Sequence, residues 1–110
     1  MTIDRKAAVT AWKERKSAPG IYAIRCVPTG EVWMGQAADL ATVQNRHWFA
    51  LRTGSHTNRA LQAAWQQHGA DALVFEVVES LAEEEDATVQ ASRLRNALRR
   101  WRDETGAAAV

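Results

Sequence analysis

Two β-forming runs, Ile21 to Val27 and Glu31 to Gly35, are separated only by Pro28-Thr29-Gly30. Proline presets one turn angle and glycine accepts a positive φ, so a connection of this kind reads as a β-hairpin. The hairpin constrains everything after it. Each later apolar run must supply either a further strand beside it or a helix on one of its faces. At 110 residues the chain has length for one core and one domain.

The rest of the sequence fits that demand. Asp39 is placed to cap a helix reaching about Thr53, with Gly54 to stop it and Leu40, Val43, His47 and Leu51 on one face. Thr57 is placed to cap a second helix, which buries Leu61, Ala64 and Trp65 and ends at Gly69. The Val- and Phe-rich run from Ala72 to Glu79 reads as a third strand. A last helix, from near Ala82 to about Arg102, carries the stripe Ala87, Ala91, Leu94, Leu98 and Trp101. Ahead of the hairpin, Asp4 to Lys16 reads as a short amphipathic helix, closed by Ser17-Ala18-Pro19-Gly20. The expected fold is α/β (α+β): a small three-stranded, mostly antiparallel sheet flanked by helices, with an extra N-terminal helix. Residues 1–19 form the helix and linker, 20–103 the domain, and the Ala-rich 104–110 a tail expected to fray.

Composition narrows the function classes. A formal charge of +1 gives no global signal for nucleic acid, so only a local basic patch supports such a partner. The single cysteine, Cys26, excludes an intramolecular disulfide and a cysteine-built zinc site, and makes the cytoplasm the expected compartment. The opening residues lack the apolar run of a signal peptide, and no stretch is long enough to span a bilayer. Five tryptophans read first as structural, because large rings help a small core reach useful burial.

Gly20-Ile21-Tyr22 opens the first strand and Trp33-Met34-Gly35 closes the second. They are followed in order by a helix, His56, a helix ending Trp65…His68-Gly69, and Phe75-Glu76-Val77-Val78-Glu79. This ordered set resembles the GIY-YIG nuclease family from Gly20 to about Trp101. The Asn45-Arg46 step and the run from His56 through Arg59-Ala60-Leu61-Gln62-Ala63 are most similar to a subgroup of short bacterial proteins and of modules attached to helix-turn-helix regulators. The resemblance implies an endonuclease that hydrolyses DNA phosphodiesters with one divalent cation, magnesium or manganese. It also implies two tyrosines, an arginine on the first core helix and a glutamate on the last. Metal and arginine stabilise phosphoryl charge, tyrosine handles a proton, and a hard cation requires oxygen ligands.

Transferred residue by residue, that set is incomplete. Tyr22 holds the first tyrosine position, but Trp33 holds the second, and indole only donates. Val43 falls at the arginine position, leaving Arg46, one turn later, to reach the site. His56 stands where active members often carry a histidine, whereas His47 reads as a satisfied, partly buried residue of the apolar stripe. Gln90 or Ala91 falls at the glutamate position, and no carboxylate occurs from Ala87 through Arg102. The nearest candidate metal ligand is Asp86, whose alternative reading is part of an acidic helix start. Tyr22, Arg46 and His56 are therefore the candidate catalytic residues. Arg93, Arg95, Arg99 and Arg100 crowd the last helix and are candidate nucleic-acid-binding residues; the alternative is a solvated face that pairs with the upstream acidic run and with Asp103 and Glu104. Three functions stay open: a GIY-YIG nuclease-like domain of reduced, metal-dependent activity; an inactive GIY-YIG-derived module that binds nucleic acid or a protein partner; and a purely protein-interaction module using Trp12, Trp48 or Trp101 as anchors.

Overall fold

The Pro28-Thr29-Gly30 turn folds β1 (Gly20–Cys26) back against β2 (Glu31–Ala37), pairing Gly20 with Ala37 and Cys26 with Glu31. Gly30 takes φ +78° there, and its N–H donates to the Cys26 carbonyl at 2.8 Å. The structure is a computed structural model that describes residues 18–110; the helix expected over 4–16, with Trp12, lies outside the described residues. Helix α1 (Leu40–Thr53) follows β2, then α2 (Arg59–His68), a short 3-10 turn (Ala70–Ala72), β3 (Leu73–Ser80), α3 (Ala87–Thr105) and β4 (Ala108–Ala109).

The sheet has four strands, not the expected three, in the order β3-β1-β2-β4. Strand β3 runs antiparallel to β1, with a register slip that pairs Ile21 with Glu79 and Tyr22 with Val77, leaving Val78 as the extra residue of a bulge. The fourth strand comes from the tail expected to fray, and it runs parallel to β2 with Trp33 opposite Ala108. The reason is an edge. Beyond β2 the backbone groups need partners. Val110 donates its N–H to the Met34 carbonyl at 3.0 Å, and Ala107 is buried against Ala23 and Met34. Arg102 fixes the approach by donating Nε–H to the Ala107 carbonyl at 3.2 Å.

Strand alternation divides the apolar residues between two layers. Tyr22, Ile24, Cys26, Trp33 and Ala37 face α1 and α2, meeting Leu40, Val43, Leu51, Leu61 and Ala64. Ile21, Ala23 and Met34 face α3, meeting Leu94, Ala97, Leu98 and Trp101. On the first side Trp48 meets Trp65 edge-on at 5.8 Å and Phe75 at 6.3 Å, so these rings extend the core rather than the surface.

Two helix starts differ from expectation. Asn58, not Thr57, caps α2, its Oδ1 accepting from Leu61 N–H at 3.0 Å. Helix α3 begins at Ala87 rather than near Ala82, because Asp86 caps it by accepting from Thr88 and Val89. Upstream, the Gln90 side chain accepts from Glu84 N–H at 3.0 Å and holds the acidic run outside the helix. No described helix is long and apolar enough to cross a membrane.

Candidate phosphate-binding cleft

Two glycines allow the site to exist. A Cβ on Gly35 would lie 2.6 Å from Tyr22 Oη and 2.7 Å from its Cζ, so only glycine lets the phenol ring lie across the β2 backbone. A Cβ on Gly20 would collide with the Glu79 carbonyl and sit 2.7 Å from Leu40 Cδ1. The ring of Tyr22 stacks on Phe75 at 5.3 Å and is only 3% exposed, and the residue lines a cleft of about 470 Å³.

At that hydroxyl begins a chain of hydrogen bonds. Tyr22 Oη lies 2.6 Å from His47 Nε2, and His47 Nδ1 lies 2.8 Å from His56 Nε2. The chain ends on backbone: Asn58 N–H donates to His56 Nδ1 at 3.0 Å. A backbone amide cannot reverse, and that fixes every tautomer. His56 Nδ1 accepts, so its proton is on Nε2 and is donated to His47 Nδ1. The proton of His47 is then on Nε2 and is donated to Tyr22 Oη. The hydroxyl hydrogen of Tyr22 is then left for an acceptor other than the histidines.

The electrostatics agree with neutral imidazoles. Burial, then the neighbouring His56, then Arg46 lower the pKa of His47 to about 4. Burial also lowers that of His56. Burial raises Tyr22 to about 12, against the opposing pull of the Arg46 guanidinium. Near neutral pH, Tyr22 is therefore a phenol that donates, not a phenolate that takes protons.

His56 is held from both sides, since its own N–H donates to Gln62 Oε1 at 3.1 Å and Gln62 Nε2 donates to the Leu51 carbonyl at 3.0 Å. Arg46 reaches the cleft wall from the exposed side of α1, and Ser55, Thr57 and Gln36 add hydroxyl and amide groups. Three residues singled out from the sequence, Tyr22, Arg46 and His56, share this cleft with His47. His47 was missed as a site residue because its stripe is mostly apolar; its position one turn after Val43, facing the same strand as Tyr22, was the available signal.

The remaining candidates lie elsewhere. Trp33 and Val43 are 3% and 2% exposed and belong to the core. Arg93 pairs with Glu84 at 3.4 Å and Arg100 with Glu79 at 2.9 Å, the latter carboxylate also accepting from Trp101 Nε1. Arg95 and Arg99 line a second groove with Arg102. Asp86 is engaged as the α3 cap and does not line the cleft. A magnesium or manganese ion does not fit the donors gathered here. Among the described residues the cleft lining contains no Asp or Glu side chain, its imidazole nitrogens are committed to one another, to Tyr22 and to the Asn58 N–H, and no cluster of three metal-ligating side chains occurs.

No family model matches the sequence, and no curated protein matches it. Solved structures do. The chain is similar to the catalytic domain of homing endonuclease I-TevI, with a TM-score of 0.68 and 24% identity over 80% of this chain and 88% of that one. A glutamate-to-alanine mutant of the catalytic domain of intron endonuclease I-TevI gives a TM-score of 0.69 at 24% identity, covering 81% and 84%. The chain thus has the fold of a GIY-YIG nuclease catalytic domain.

Proposed function

We propose that this chain is a nucleic-acid-binding module on a nuclease fold, gripping a DNA phosphodiester in the cleft rather than cutting it efficiently. The observation that carries this reading is the direction of the hydrogen-bond chain. It presents the Tyr22 hydroxyl as a donor beside the Arg46 guanidinium, with the Ser55 and Thr57 hydroxyls nearby. Donors and a cation around a half-open cleft match the oxygens of a phosphate. Cutting needs more. A water must lose a proton and the charge on the pentacoordinate transition state must be stabilised, and a phenol held protonated, with its pKa near 12, is a poor acceptor for that proton. The described cleft residues offer no Asp or Glu side chain to hold a cation, and loss of one major electrostatic element costs roughly 100-fold or more in rate.

The test pairs binding with cleavage. Labelled single- and double-stranded DNA should bind wild-type protein in a salt-dependent way, and Tyr22→Phe and Arg46→Ala should each weaken binding about 3- to 10-fold. Cleavage with magnesium or manganese should stay at least about 100-fold below that of an active nuclease of this fold. Efficient metal-dependent cutting that Tyr22→Phe abolishes would instead establish a working nuclease. Neither binding nor cutting would leave the protein-partner reading, in which the exposed Phe49 is the first anchor to mutate.

A further inference from the structure

The arginines of α3 are not equivalent. Arg93 and Arg100 are neutralised by Glu84 and Glu79. Arg95, Arg99 and Arg102 stand at i, i+4 and i+7, along one side of the helix, and together line a groove of about 390 Å³. Among the described residues neither Arg95 nor Arg99 forms an ion pair, and Arg102 spends its Nε–H on the Ala107 carbonyl. Asp103 is the one carboxylate in the lining among the described residues. The groove adjoins the Tyr22 cleft directly, because Gln36 and Leu98 line both.

We propose that this groove is a second phosphate subsite, so that the protein holds two phosphates of one nucleic-acid strand, one under Tyr22 and Arg46 and another under Arg95 and Arg99. The inference rests on the phosphate-binding reading of the cleft and extends it: the ligand is a polynucleotide track, not a single phosphodiester. Unpaired guanidiniums one turn apart, about 5–6 Å at Cβ, suit a polyanion that crosses the helix. An isolated phosphomonoester would engage only one end. No base edge is addressed by these residues, so the track is read by charge and spacing, not by sequence.

Length dependence tests the proposal. Titrations followed by amide resonances of the full chain would compare a dinucleotide carrying one phosphodiester with a twelve-nucleotide single strand. Arg46→Ala should weaken both ligands. Arg95→Ala/Arg99→Ala should leave the dinucleotide within about twofold and weaken the longer strand roughly 5- to 10-fold, flattening its salt slope by about 1 to 2. Asp103→Asn removes the opposing charge and should tighten the longer strand about twofold, which guards against a double variant that misfolds. Equal losses from Arg95→Ala/Arg99→Ala and from Arg93→Ala/Arg100→Ala would mean a diffuse basic face and would overturn the subsite. Unchanged long-strand affinity in Arg95→Ala/Arg99→Ala, with the Arg46→Ala loss intact, would also remove it while leaving the cleft as a phosphate site. No binding of either ligand by wild-type protein would remove the cleft reading itself.

Discussion

On the α1 side of the sheet, polar groups are locked to one another; on the α3 side, they are locked to carboxylates or left to solvent. Tyr22, His47, His56, Asn58 and Gln62 form one connected set whose last donor is backbone. Among the described residues Arg95 and Arg99 form no ion pair, though they are neighbours of Arg93 and Arg100, which do. The difference separates two kinds of information. The interlocked set encodes geometry, so its members cannot be removed without leaving a buried polar atom unmatched. The free arginines encode affinity, and the fold is indifferent to them.

The largest effect should come from the glycine under the tyrosine. Gly35→Ala should lower unfolding free energy by about 3 kcal/mol, because the added methyl has no space beside the phenol. Chemical denaturation measures it, and a loss under about 1 kcal/mol would mean that the ring is not pinned against β2. His47→Ala should cost about 2 kcal/mol by leaving Tyr22 and His56 without a shared partner, whereas Arg95→Ala should stay within about 0.5 kcal/mol. Similar values for the two would erase the contrast between the sides of the sheet.

Acid should distinguish them next. The folded pKa of His47, about 4, lies below its ordinary value of 6.5, so between those limits the unfolded chain binds more protons. Stability is therefore fully present above about pH 6.5 and is lost as pH falls towards 4. The loss is about 1–2 kcal/mol after discounting for partial exposure of the ring. Melting temperature against pH measures it, and His47→Gln should flatten the curve. The smallest effect belongs to the α3 cap. Asp86→Ala should cost about 1 kcal/mol and Asp86→Asn less than about 0.5, since asparagine also caps; equal losses would point to the charge rather than to the cap.

The sequence was most legible where local chemistry decides. The Pro28-Thr29-Gly30 turn, the two hairpin glycines and the helix stops at Gly54 and Gly69 all stand where the pattern puts them. Tyr22 and His56 carried enough local context to be singled out. His47 did not, because a histidine on an apolar stripe looks the same whether it fills space or bridges two partners. Helix α3 begins late because Glu and Asp are compatible with a helix, and only the Gln90 contact to Glu84 shows that they lie outside it. The closing strand was illegible for a related reason. Alanines carry little pattern, and what orders them is an edge of β2 far away in sequence.

Asn58 joins features that sequence keeps far apart. Its Oδ1 starts α2, its N–H sets the first tautomer of the imidazole pair, and its Nδ2 donates to the Ala109 carbonyl at 3.0 Å. Seating of the final strand and orientation of the two rings thus share a hinge pin one residue wide. Detaching that strand would free the Nδ2 hydrogen of the residue whose own N–H polarises the whole row, and Val110, packed against the core cluster that holds Tyr22, would leave with it.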